Sequence, residues 1–173
     1  MLNYIIKTIN WVDILVVILL IRTTYIGLSQ GFAVEVFKSI GLICASVVSM
    51  HNYNRLGEFV NSYSFFSSPT ASKAGSFIIL TCAVLLVFKL LRIIFQFIAK
   101  IEVVSWLERF GGIIIGLCRG VLLSSVILFI LTLMPPEYVK RSVDTNSLSG
   151  PYLVKITPAT YDFIIKFLPL SKK

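Results

Sequence analysis

Four long apolar runs separated by polar stretches organise this chain. Residues 11–28 form the first run, close to the roughly 20 residues that a helix needs to cross a ~30 Å hydrocarbon core. Trp11 stands where an interfacial aromatic belongs, and Asp13 is suited to capping the helix start. Arg22 interrupts the run and must snorkel or face inward. Ser29-Gln30-Gly31-Phe32 reads as a tight turn, so the second run, residues 33–50, returns antiparallel. Within it Glu35 and Lys38 stand three apart on one face, and Gly41, Ala45 and Ser49 place small residues at every fourth position. Residues 51–75 are rich in Ser, Asn and Tyr; Leu56, Phe59, Val60 and Tyr63 keep the i, i+3, i+4, i+7 pattern of a short interfacial helix, ended by Ser67-Ser68-Pro69-Thr70. The third run, residues 76–100, has no charge between Phe77 and Phe88; Lys89 and Arg92 then mark the edge of the hydrocarbon layer and Lys100 closes the run. Glu102, Trp106 and Glu108 lie in an interfacial connection. The fourth run, residues 109–134, stops at Pro135-Pro136, because proline lacks the helical donor. Residues 137–150 are polar and expected to be mobile. Thr157-Pro158 then reads as an N-cap followed by a first helical position. Tyr161, Ile164, Ile165 and Leu168 give a second amphipathic helix over 158–168, with Asp162 and Lys166 paired on its polar face and Pro169 at its end. The pattern predicts an all-α membrane protein: a four-span domain over residues 11–134, two short interfacial helices, and a polar tail over 137–173.

The fourth run carries the most informative spacing. Gly112, Gly116, Gly120 and Ser124 recur every four residues and so line one helix face. Glycine costs about 1 kcal/mol against alanine inside a helix. A stripe of it in lipid points to a backbone that approaches another helix closely. The Gly41, Ala45, Ser49 stripe makes the second span the expected docking partner. Arg119 lies about 20° from Gly112 around the helix, at roughly 100° per residue. A cation there is costly in hydrocarbon. The preferred reading is a buried ion pair that fixes helix register, with Glu35 as candidate partner; the competing reading is a substrate or proton path.

Composition agrees with a membrane protein. Of the 173 residues 57% are hydrophobic and 14% charged, against about 45–50% and 25% in soluble domains; the mean hydropathy is +0.90. The net charge of +8 would suggest nucleic acid in a soluble protein. Here the bases flank or enter apolar runs, so anionic lipid and membrane orientation explain them and nucleic acid is excluded as a partner. Lys7 followed by the apolar stretch Ile14–Ile21 resembles a signal peptide, but Arg22 and the lack of an A-x-A site make it a retained span. The bases nearest the span ends (Lys38, Lys89, Arg92, Lys100 and Arg109) favour tight connections in the cytoplasm and both termini outside it.

The residues do not suggest an enzyme. His51 stands in a polar loop beside Asn52 and Asn54, without a cysteine or carboxylate at ligand spacing. Cys44, Cys82 and Cys118 lie in apolar segments and read as small filler. No nucleophile elbow accompanies the serines, and no Lys-Ser/Thr follows the glycines of 111–120 as a phosphate loop requires. No metal and no cofactor are expected.

Three features together resemble the colicin V production protein family: Trp11-Val12-Asp13 before the first span, the tight Gly31-Phe32 turn followed by Glu35, and Glu108-Arg109-Phe110-Gly111-Gly112 leading to Gly116, Arg119 and Gly120. The sequence departs from the family pattern at Gln30, where Arg is frequent, and at Glu108, where Asp is frequent. The resemblance covers residues 11–134. It implies a small bacterial inner-membrane protein linked to colicin V production or export and to envelope homeostasis, with no catalytic residues to carry over. The expected function is a non-enzymatic accessory or scaffold that meets a membrane-protein partner or a second copy of itself in the bilayer. The alternative is a small oligomeric channel or transporter component using the intramembrane charges.

Overall fold

The structure is a computed structural model, and it describes residues 10–62, 69–98, 105–133, 137–144 and 147–167. The long helices are α1 (Trp11–Gln30), α2 (Phe32–Ser62), α3 (Pro69–Ile98) and α4 (Ser105–Thr132); the tail forms α5 (Glu137–Asp144), α6 (Gly150–Leu153) and α7 (Ile156–Phe167). Among the described residues there is no strand. The four long helices are each long and apolar enough to cross a membrane. At 1.5 Å per residue, the 20 residues of α1 reach about 30 Å, the thickness of the hydrocarbon core. The 31 residues of α2 reach about 46 Å and must project beyond it.

Neighbours in space differ from neighbours in sequence. α1 packs chiefly on α4, α4 also on α2, and α2 on α3, whereas α1 and α2 touch little and α3 and α4 barely meet. The α1–α4 seam is antiparallel: residue numbers fall along α1 as they rise along α4, from Gly27 against Gly112 to Val12 and Val16 clustered with Leu128. The α2–α3 seam is antiparallel too. Gly41 faces Phe88, the Ser49 and Thr81 hydroxyls lie 2.9 Å apart, and Gly57 faces Lys73. Apolar packing concentrates in the half of the bundle nearer the tail, around Val12, Val16, Leu128 and Val143 on one side of α4 and Leu42, Phe77 and Val126 on the other.

The structure revises several local expectations. The glycine stripe of α4 docks on α1, and the small residues of α2 dock on α3, so these two stripes do not meet. Thr23 and Gly27 on α1, with Gly31 at its C-cap, carry the same four-residue spacing and line the face that this stripe meets. Residues 51–62 continue α2 without a break, and Pro69 opens α3 instead of ending a helix. Proline is well suited there, since its missing N–H would lack an intrahelical partner in a first turn. Asn10, not Asp13, is the N-cap of α1; Asp13 sits at N3 and accepts from the Asn10 N–H at 3.2 Å.

The stretch expected to be mobile holds α5 and a packed loop. Val143 is fully buried, and the Asn10 side chain donates to the Ser142 carbonyl at 3.0 Å. Asp13 accepts from the Leu148 N–H at 3.2 Å, the Ser149 N–H at 2.9 Å and the Ser149 hydroxyl at 2.6 Å. Thr157 lies within α7 and is not its cap; its hydroxyl sits 2.6 Å from that of Ser125, which accepts the Thr157 N–H at 2.9 Å. The tail therefore folds back against α4 because a buried hydroxyl pair and one carboxylate satisfy its backbone there. Lys7, Tyr63, Lys100, Glu102, Pro135, Pro136, Leu168 and Pro169 lie outside the described residues.

Candidate functional site: an ionic cluster beside a glycine seam

Glu35 stands in the first turn of α2, where the helix dipole favours a carboxylate. It has no solvent exposure. Its Oε1 accepts from Lys38 Nζ at 2.7 Å, one turn along the same face. Its Oε2 lies 2.9 Å from Arg119 Nε on α4, an ion pair whose angle falls outside hydrogen-bond geometry. Arg119 can reach Glu35 because helical side chains tilt toward their own N-terminus, and α2 and α4 both start on the side of the Gly31 turn. Lys38 also donates to Gln30 Oε1 at the end of α1. One carboxylate thus ties α2 to α4, and through Lys38 to α1. Burying such a group is costly, and removing one partner of a buried pair typically costs about 3–5 kcal/mol.

The seam beside this cluster is built backbone to backbone. A Cβ on Gly116 would stand 2.8 Å from the Thr23 carbonyl oxygen and 3.2 Å from Gly27 Cα. One on Gly112 would clash with the Gly27 carbonyl, and one on Gly120 with the Thr23 hydroxyl. Gly31 adopts φ 83°, a left-handed conformation that glycine takes without strain. A Cβ there would lie 3.2 Å from Glu108 Oε1. A Cβ on Gly111 would lie 2.6 Å from the Phe32 ring. The Gly31-Phe32 turn therefore seats directly on the Glu108–Gly112 segment.

The remaining residues singled out from the sequence lie elsewhere. Arg22 is exposed on α1 and does not join the cluster, and Arg109 is exposed. Trp11 is exposed, at the opposite end of the bundle with Asp13. Ala45 and Ser124 are fully buried; the Ser124 hydroxyl has no hydrogen-bond partner among the described residues. Thr23, Gly27, Ser125 and Asn10 take part without having been singled out from the sequence, and Gln30 was noted only in the turn and as a departure from the family pattern. The Thr23, Gly27, Gly31 spacing was available as a signal; the Ser125 and Thr157 pairing had none, being 32 residues apart.

Four apolar spanning helices, clamped by a glycine seam and a buried ionic cluster, define a multi-pass membrane protein. The family model described as colicin V production protein matches residues 12–158. The chain belongs to the colicin V production protein family. Comparison with curated proteins found no match, and comparison with solved structures found none.

Proposed function

We propose that this protein is a non-enzymatic accessory or scaffold of the bacterial inner membrane, supporting toxin production or export, or envelope homeostasis, through helix contacts with a membrane-protein partner or a further copy of itself. The observation that carries this reading is Glu35, held without exposure between Lys38 and Arg119. A carboxylate engaged on both oxygens locks three helices together and is poorly placed to carry a moving ion. The family's description supplies the link to colicin V production. Arg22 on the exposed face of α1 adds support, since a cation facing outward from the middle of a span favours a polar partner. In this reading the Gly31 turn faces the cytoplasm, and the start of α1 and the tail lie outside it. Impermeant maleimide should then label Tyr152→Cys in intact spheroplasts of a strain whose variant lacks Cys44, Cys82 and Cys118; Tyr152 is 77% exposed.

The deciding experiment replaces the charge pair by an apolar one. The double variant Glu35→Leu/Arg119→Leu should accumulate and restore colicin V production in a deletion strain, because a buried ion pair can be exchanged for packed apolar residues at little cost. Lys38 retains Gln30 and can snorkel. A double variant that folds normally yet abolishes function would move the assignment to the channel or transporter reading. Crosslinking in native membranes from Ile18 and Ile21, both exposed on α1, would then test for self-association before flux is measured in proteoliposomes.

A further inference from the structure

The cleft between α3 and α4 has a composition that neither the seam nor the ion pair explains. Both helices pack on α2 but barely meet, leaving a cavity of about 300 Å³. That is the lower end of ligand-pocket volumes, room for one headgroup and the first part of one chain. Its walls divide by chemistry. Lys38, Lys89, Arg92 and Arg119 form the basic part; Leu85 and Phe88 belong to the apolar part. Glu35 answers Lys38 and Arg119. Among the described residues no carboxylate answers Lys89 or Arg92. Arg92 Nε is buried and has no hydrogen-bond partner among them. An excess of cations with a desolvated, unused guanidinium N–H is unfavourable unless an anion supplies the missing acceptor.

Depth narrows the choice of anion. Arg92 and Lys89 lie two and five residues inside the apolar stretch Thr70–Ile94, about 3 and 8 Å from its end. Lys38 lies six residues into α2, about 9 Å by the same rise. The cations therefore stand near the hydrocarbon edge, where lipid phosphates lie, and the apolar wall continues toward the acyl chains. We propose that this cleft binds one anionic phospholipid, its headgroup phosphate between Arg92, Lys89 and Lys38 and one acyl chain along Leu85 and Phe88. Guanidinium matches phosphate in a two-point fork, and ammonium groups add point charge. A zwitterionic lipid would bring a cation of its own into an already positive cleft, and free phosphate would leave the apolar wall uncovered.

The test is native mass spectrometry of the full chain in a non-denaturing detergent, presented with equal amounts of phosphatidylglycerol and phosphatidylcholine. One phosphatidylglycerol should be retained, with apparent affinity about tenfold or more above phosphatidylcholine, from roughly 1 kcal/mol per basic residue near the surface. Lys89→Gln/Arg92→Gln should abolish that preference. Lys89→Arg/Arg92→Lys, which keeps both charges and reports on folding, should retain it, as should Arg55→Gln/Lys155→Gln at exposed bases elsewhere. Equal retention of the two lipids by the parent would overturn the proposal. So would a preference that survives Lys89→Gln/Arg92→Gln, or one lost equally in Arg55→Gln/Lys155→Gln, since either would make it diffuse surface attraction. Displacement of the lipid by inorganic phosphate at matched ionic strength would assign the site to a free anion and overturn the lipid source.

Discussion

Adding a single methyl group at Gly116 probes a backbone-to-backbone approach of α4 on α1. The new carbon would stand 2.8 Å from the Thr23 carbonyl oxygen and 3.2 Å from Gly27 Cα, whereas carbon contacts settle at about 3.5–4.0 Å. Both obstacles are backbone, so no rotamer change relieves them, and α1 and α4 must separate by on the order of 0.5–1 Å. A gap of that size forfeits about a quarter to a half of each contact's attraction along the seam. Overpacking of this kind costs about 1–3 kcal/mol. Alanine's better helix propensity, about 1 kcal/mol in water, opposes the loss. That gain is smaller in a membrane, where the unpacked helix stays helical because its backbone has no other partner. The expected net effect of Gly116→Ala is a loss of about 1–2 kcal/mol. Gly41→Ala provides the contrast: its nearest obstacles are Phe88 Cβ and Cγ at 3.0 Å, side-chain atoms that ask for a shift of only a few tenths of an ångström, and the loss should be smaller than at Gly116. The assay is unfolding by sodium dodecyl sulfate in mixed micelles, followed by tryptophan fluorescence with helix content measured alongside. A Gly116→Ala protein as stable as the parent, or no less stable than Gly41→Ala, would refute the close-packing argument.

Three further outcomes follow from the same structure. Arg119→Leu strands Glu35 with Lys38 alone and should cost about 3–5 kcal/mol in the same micellar assay, whereas Arg55→Leu at an exposed site should stay within about 0.5 kcal/mol; equal, mild losses would remove the ion pair from the account. Asp13→Ala should release the tail, raising hydrogen exchange at the Leu148 and Ser149 amides, and unchanged protection there would show that Asp13 does not hold them. Ser125→Ala leaves the Thr157 N–H and hydroxyl unpaired inside the bundle and should cost about 1–3 kcal/mol. Thr160→Ala, which loses only a hydroxyl bond to the Ile156 carbonyl of its own helix, should cost less, and the reverse order would contradict the buried pairing.

The four spans were legible from the sequence because a bilayer imposes a length and an apolar composition on any helix that crosses it. The pairing of Glu35 with Arg119 was legible too, since a lone charge inside an apolar run calls for an opposite partner. The stripe Gly112, Gly116, Gly120 announced a close contact but not its partner. Two helices offered small residues every four positions, and spacing does not say which one a stripe will face. The choice fell to α1 because Thr23, Gly27 and Gly31 let the backbones touch, while Gly41 is filled by Phe88 from α3.

The tail shows the other limit. Residues 137–150 are polar, and polarity by itself reads as solvent exposure. Asp13 and Asn10 capture this segment from more than 130 residues away, an interaction with no periodicity to betray it. The basic cleft is of the same kind: Lys38, Lys89, Arg92 and Arg119 come from three helices and share no motif. By itself the sequence determined which segments are long and apolar enough to cross a membrane, because hydrophobic transfer and the rise of a helix act residue by residue. Only the tertiary structure decided which faces meet, because close packing and ion pairing depend on the shape and charge of two surfaces at once.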